Sequence, residues 1–320
     1  VGLNLLKYRI LGNTGLRVSR LCFGSLTIGP LQADLSPAEG ARILSRAFDR
    51  GVNFVDTAEL YGNYPHLARA LAGRSAEIVV ATKSYAYEAR QAEASLHRAL
   101  AELNRDYIDV YLLHEQESEA TLRGHWEALE YLFRAREMGV VRAVGVSTHH
   151  VAGVRAVAAV PEIDIIHPLW NIRGFGIADG TPEEMMAAIR EAHQAGKGIY
   201  AMKALGGGHL LGEWENAIQA VLSTDEFASV AVGMQSTLEV EFNVRLFSGD
   251  RVPDGLQQIL ARKPRRLLVE DWCHGCGECV AACRNKALCL IDGRVKVNPD
   301  RCRLCSYCAA RCPDFCIKVI

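Results

Sequence analysis

The 320-residue sequence carries almost no net charge. Its 36 Lys and Arg nearly balance its 37 Asp and Glu, leaving -1 with histidine neutral. Bulk charge therefore offers no drive toward nucleic acid. Long apolar runs are missing too, and none reaches the roughly 20 residues that span a bilayer. No early stretch joins a basic start, an apolar middle and a small-residue cleavage site, so no secretory leader is expected. A cytoplasmic location is the expectation. Cysteine is scarce through residue 272, where Cys22 stands alone. That distribution disfavours a chain-wide disulfide framework.

Eight short apolar runs are present: 21–24, 52–56, 78–82, 108–114, 143–147, 163–167, 198–202 and 230–233. They are rich in Val and Ile and alternate poorly, as strands buried on both faces do. Helical patterns fit 89–103, 120–138, 182–195, 214–223 and 237–247. Another opens at Ser36-Pro37-Ala38-Glu39, where serine caps, proline takes the first position and glutamate closes a capping box. Leu44, Ala47 and Phe48 then share one face and Gly51 ends it. Eight such units predict a closed (β/α)8 TIM barrel over residues 1–262. A doubly wound open sheet is the alternative. Against it, no G-x-G-x-x-G follows the first strand. The opening KYRILGNTGLRVSR reads as a hairpin turning at Asn13, Thr14 and Gly15, which closes the barrel bottom.

In such a barrel, chemistry sits at the C-terminal ends of the strands. Asp56 ends the second strand, Tyr61 lies just beyond it, Lys83 ends the third and His114 the fourth. A lysine beside a phenol lowers its pKa. The aspartate can fix that lysine, the histidine can hydrogen-bond a carbonyl oxygen, and the phenol can act as general acid. Taken singly, each has a plainer reading: a cap, a solvated lysine, a satisfied core histidine.

VNFVDTAELYG, ATK and YLLH carry these four residues, and through them residues 7–250 resemble the aldo-keto reductase family. The resemblance implies hydride transfer between NADPH or NADH and a carbonyl, with tyrosine as the acid. It also implies cofactor contacts. Ser147 and Thr148 stand where the family has Ser-Asn for the carboxamide. His167 stands where it has glutamine, and Met202 where it has an aromatic that stacks on nicotinamide. Gly206 and Gly207 would approach the pyrophosphate. Glu239 stands near a common arginine, and Asn243 matches the adenine-binding asparagine. An acid at Glu239 could instead bind a free ribose hydroxyl, as in NAD sites. Leu60, Trp170, Phe175 and Met202 are candidates for an apolar substrate pocket.

What the first part lacks, the end has in excess. Ten of the eleven cysteines fall in the last 48 residues. Cys273, Cys276, Cys279 and Cys283 form one run, and Cys302, Cys305, Cys308 and Cys312, followed by Pro313, another. Both have the spacing of bacterial ferredoxin motifs, in which the fourth cysteine reaches the other cluster. Tetrahedral zinc is the alternative. Residues 267–320 thus resemble the two-cluster bacterial ferredoxins. They are expected to form a small ferredoxin-like α+β domain, 263–320 with its linker. One [4Fe–4S] cluster would rest on Cys273, Cys276, Cys279 and Cys312, the other on Cys302, Cys305, Cys308 and Cys283. Cys289 and Cys316 read as buried small hydrophobes. The stretch R-K-P-R-R at 262–266 reads as a solvated linker.

Together the two parts resemble aldo-keto reductases with a ferredoxin appendage. Three readings follow. The first is a nicotinamide-dependent carbonyl or alcohol oxidoreductase coupled to iron–sulfur electron transfer, with an external ferredoxin or other redox partner. The second is an ordinary hydride-transfer reductase with a structural or docking tail. The third is an electron-transfer component with a relic barrel. A flavin would convert two-electron to one-electron chemistry, although no flavin motif is present.

Overall fold

The computed structural model describes residues 5–320. A hairpin opens it, with β1 (Tyr8–Ile10) antiparallel to β2 (Arg17–Ser19). Gly15 takes the left-handed turn position at φ 73°. Eight parallel strands then close a barrel: β3 (Leu21–Gly24), β4 (Phe54–Asp56), β5 (Val79–Ser84), β6 (Ile108–Leu113), β7 (Val141–Thr148), β8 (Ile165–Pro168), β9 (Gly198–Met202) and β10 (Ser229–Gly233). The last strand pairs with the first, Val230 opposite Leu21. This is a TIM-type barrel, and the open-sheet alternative falls.

Alternation along each strand divides the core in two. Cys22, Phe54, Ala81, Val110, Leu112, Ala143, Ile165 and Tyr200 point inward and pack as one cluster. Leu11, Leu16 and Val18 of the hairpin join it, so the hairpin plugs the end opposite the active face. Gly12 makes this possible, because a Cβ there would lie 2.3 Å from the backbone nitrogen of Gly198, at the start of β9. The outward residues, such as Phe23, Val55, Val80 and Tyr111, pack against the helices.

The helices are α1 (Pro37–Asp49), α2 (Tyr64–Leu71), α3 (Ala89–Leu103), α4 (Glu119–Gly124), α5 (Trp126–Glu137), α6 (Val151–Ala158), α7 (Pro182–Gln194), α8 (Trp214–Leu222), α9 (Thr237–Ser248) and α10 (Asp254–Ala261). The capping box of α1 is complete: Ser36 Oγ accepts from the Glu39 amide, and Glu39 Oε2 accepts from the Ser36 amide. The single helix expected at 120–138 breaks at His125, whose φ of -109° and ψ of 13° start a second one. Sequence reading passed over α2 and α6 because both are only 8 residues long, about two turns.

Beyond α10 the chain forms no second sheet of comparable size. β11 (Leu267–Val269) pairs with β14 (Ile317–Val319), and β12 (Leu288–Ile291) pairs with β13 (Arg294–Val297) through an Asp292-Gly293 turn. A short helix, α11 (Glu278–Ala282), completes it. Leu267, Leu288, Val295, Ile317 and Val319 form its small core. This segment rests on the barrel. His209 Nε2 donates to the Ile317 carbonyl at 2.9 Å, and Phe315 packs on Gly176 and Gly207. A distinct ferredoxin-like domain is therefore not established; the segment is a cap on the barrel's active face. No helix among the described residues is long and apolar enough to cross a membrane.

Candidate active site

Asp56 and Lys83 end neighbouring strands and meet inside the mouth of the barrel. Lys83 Nζ donates to Asp56 Oδ2 at 2.7 Å and to the Thr57 carbonyl at 2.8 Å. Lys83 is 1 % exposed, and the carboxylate facing it makes the two a buried, matched pair. Tyr200 donates to the other oxygen, Asp56 Oδ1, at 2.9 Å. Tyr61, on the short turn after β4, brings its hydroxyl within 3.4 Å of Lys83 Nζ. His114 follows β6 and meets Tyr61 edge to face, with ring centres 5.9 Å apart, while Tyr85 stacks on its other side at 4.4 Å. The four residues thus form one group at the strand ends.

Their electrostatics correct one expectation. Burial pushes the Tyr61 phenol well above its ordinary value, and the nearby Asp56 and Glu115 carboxylates push it further. The lysine does not prevail because its charge is matched by Asp56. Tyr61 is therefore a protonated phenol at neutral pH, the form a general acid requires. Burial holds His114 well below its usual value, with Lys83 and Lys203 adding to the effect. It is a neutral imidazole. Its buried Nδ1 has no hydrogen-bond partner.

Tyr61 and Asp56 border an open cleft of about 1060 Å³, counting its mouth. His167, Met202, Gly207 and Glu239 line it as well. His167 stacks on Tyr200 at 3.8 Å and donates through Nδ1 to the Tyr200 carbonyl at 2.6 Å. Burial lowers His167 to about 4. Ser147, Thr148, Gly206 and Asn243 are buried and do not line the cleft. Ser147 Oγ accepts from the Glu115 amide at 2.9 Å, and Asn243 Nδ2 donates to the Glu239 carbonyl in its own helix at 2.8 Å. Gly206 adopts φ 57° and faces Phe175 and Leu210. A Cβ on Gly207 would meet the Lys318 and Phe315 side chains, so the cap already approaches closely here. Of the apolar pocket candidates only Met202 reaches this cleft. Leu60 borders a separate shallow depression with Tyr85 and Tyr87, and Trp170 is spent on a bond to the Pro182 carbonyl.

Several site residues escaped sequence reading. Tyr200 had a signal, since it stands two positions before Met202 on the same strand and so shares its face. Lys203 had none. It turns at φ 60° and donates to His149 Nε2 at 2.8 Å, and burial lowers it to about 8. Arg265 and Lys318 come from far along the chain to line the same cleft. In the basic run 262–266, Arg262, Pro264 and Arg266 are exposed as a solvated linker would be, while Lys263 and Arg265 are half-buried. Three basic side chains lining an open, partly apolar cleft suit a phosphorylated nucleotide, whose negative charge would restore the proton affinity that burial takes from Lys203 and Lys318, while the neutral His167 and Met202 fit its uncharged end.

The cysteines behave differently. Among the described residues, no group of three or more His, Cys, Asp or Glu side chains is placed to hold a metal ion. This overturns the assignment of Cys273, Cys276, Cys279 and Cys312 to one cubane and of Cys302, Cys305, Cys308 and Cys283 to another. Cys279 and Cys308 are buried in the cap's small core. Burial pushes their thiols up to about 11 and about 12, neighbouring thiols adding to both. Without the clusters, the coupling to iron–sulfur electron transfer and the external ferredoxin lose their basis. Cys316 is buried, but Cys289 is exposed, since its strand β12 turns that face outward.

The comparisons agree with the barrel. The family model described as the aldo/keto reductase family matches residues 20–241. An uncharacterized oxidoreductase, YrpG of Bacillus subtilis, is 27% identical over 235 residues, covering 65% of this chain and 69% of that protein. A Pseudomonas aeruginosa structure, provisionally named an aldo-keto reductase, superposes with a TM-score of 0.67 at 25% identity. The match covers 77% of this chain and 96% of that one. A Bombyx mori aldo-keto reductase in complex with NADP shares the fold at 19% identity and a TM-score of 0.60, over 80% of this chain and 92% of that one. The last of these names records NADP for that protein, and none of the three names a flavin. With more than half its length matched and its four polar residues gathered at the mouth of the barrel, the chain belongs to the aldo/keto reductase family, as an NAD(P)-dependent oxidoreductase.

Proposed function

We propose that this protein interconverts a small-molecule carbonyl and its alcohol by hydride transfer, with Tyr61 as the proton donor. The observation that carries this reading is the Tyr61 hydroxyl, 3.4 Å from the Lys83 ammonium and open to the cleft. Reduction of a carbonyl needs a proton on oxygen as the hydride arrives on carbon. A buried phenol holds that proton through neutral pH, and the ammonium beside it stabilises the phenolate left behind. Lys83 in turn recovers its position from Asp56, which Tyr200 orients. Neutral His114 has hydrogen-bonding capacity to spare and steers the carbonyl oxygen toward Tyr61. Two carboxylates near the phenol raise its proton affinity, so it meets the carbonyl still carrying its proton at neutral pH.

NADPH or NADH would supply the hydride when bound. Met202 and His167 would border its nicotinamide, with Ser147 and Thr148 behind them. Gly206, Gly207, Lys203 and Lys318 would lie along its phosphates, and Glu239 and Asn243 near its adenosine. The chain's own residues then hold the carbonyl, move the proton and screen the site from water. Substitution Tyr61→Phe tests the reading. It should lower the turnover of several aldehydes and ketones about 10²–10⁴-fold while nucleotide affinity stays within about twofold. Undiminished turnover in that variant would exclude Tyr61 as the acid. The ordinary hydride-transfer reading is the one these observations favour; neither coupled electron transfer nor a relic barrel has support in the site.

A further inference from the structure

We infer that the segment beyond the barrel sets the nucleotide preference, and that Arg265 makes the cleft selective for the dinucleotide bearing the additional adenosine phosphate. This rests on the hydride-transfer reading above. Glu239, at the start of α9, would ordinarily argue the other way, since a free carboxylate there takes ribose hydroxyls and repels a phosphate. Here it is not free. Its Oε1 accepts from Lys263 Nζ at 2.7 Å, and its Oε2 accepts from the Gln235 amide at 2.7 Å. Lys263 also donates to Gln235 Oε1 at 2.8 Å, which fixes the ammonium in place. The side chains of this pair are only 30 % and 13 % exposed. Both carboxylate oxygens are therefore engaged, and the charge is matched before any ligand arrives.

Two residues further on, Arg265 lines the same cleft as Gln235 and Glu239. It is half-buried, between the backbone bonds that tie Arg266 to Ile320 and the ion pair at Lys263. No ion pair or hydrogen bond uses its guanidinium within the described structure. The local sum over Glu239, Lys263 and Arg265 is one positive charge. A guanidinium with five unspent donors is matched by a phosphate and poorly used by a hydroxyl. The basic residue that would ordinarily come from α9 itself is thus supplied from the connection to the cap.

The test is equilibrium binding of NADPH and of NADH to the full chain by titration calorimetry, at fixed low salt. The expected wild-type result is an NADPH affinity at least about tenfold above that for NADH, the worth of one charge-assisted contact. Arg265→Ala should erase most of that ratio by weakening NADPH alone, and Arg265→Lys should restore part of it. Lys263→Met should move the two affinities in opposite directions: releasing Glu239 repels the phosphate and offers ribose hydroxyls an acceptor. General damage to the fold would weaken both together. Equal affinities in the wild type, or a ratio that Arg265→Ala leaves unchanged, would overturn the inference while leaving hydride transfer intact. A wild-type chain that binds neither nucleotide would overturn both.

Discussion

The barrel's four polar residues are spread from Asp56 to His114, yet they meet at one point; the cap's ten cysteines fall within 48 residues, yet no group of them is placed to hold a metal ion. Proximity along the chain and proximity in space part company in both directions. In the barrel, strands paired on both sides in a closed ring fix where each C-terminal end points, so residues at equivalent heights are aimed at a common centre. In the cap, strands of three or four residues pair only once each, and the thiols scatter from the buried Cys279, Cys308 and Cys316 to the exposed Cys276, Cys289 and Cys305. A scaffold makes a site more surely than a spacing does.

The contrast can be broken first at the buried ion pair. Lys83→Met strands Asp56 in the barrel with Tyr200 as its only strong partner. Leaving a buried charge uncompensated costs about 3–5 kcal/mol, and urea melts should show it together with lost turnover. A cost near zero would mean that the group is less rigid than its distances imply.

The next test concerns the cap. Glu270, 5 % exposed with Oε1 unpartnered, is raised by burial to about 7 from an ordinary 4.5, against the pull of Lys318 and Lys203. The folded state thus binds the proton more tightly than the unfolded chain, so stability falls as pH rises from about 4.5 through 7. Glu270→Gln removes that loss. Its advantage over the wild type should grow across this window by up to about 3 kcal/mol, read as diverging melting curves. Parallel curves would show that the carboxylate has found water.

The smallest effect sharpens the boundary between the two regions. A Cβ at Gly208, which adopts φ 89°, would sit 2.0 Å from the Val319 carbonyl oxygen. Gly208→Ala should strain this contact by about 1–3 kcal/mol. The expected readout is faster proteolysis within residues 263–320, with the barrel's own melting unaltered.

How much of this was legible beforehand follows the same divide. The eight strands announce themselves as Val- and Ile-rich runs because burial on both faces leaves no room for alternation. Asp56, Tyr61, Lys83 and His114 are legible because each stands at the end of such a run. Tyr200 and Lys203 are harder, since β9 hides one inside the barrel and a left-handed residue follows it directly. Arg265 and Lys318 are not legible at all: nothing local to them shows that the cap folds back over β9. The phenol's protonation also required coordinates, because the competition between burial and a neighbouring ammonium depends on what else that ammonium touches.

The end of the cap has a practical bearing. Lys318, Val319 and Ile320 border the cleft itself, so the wall of the site is partly built by a strand outside the barrel. Bulk added at Val319 would compete for space with incoming nucleotide, whereas bulk added at Thr14 would sit at the sealed end of the barrel, where the hairpin is the plug.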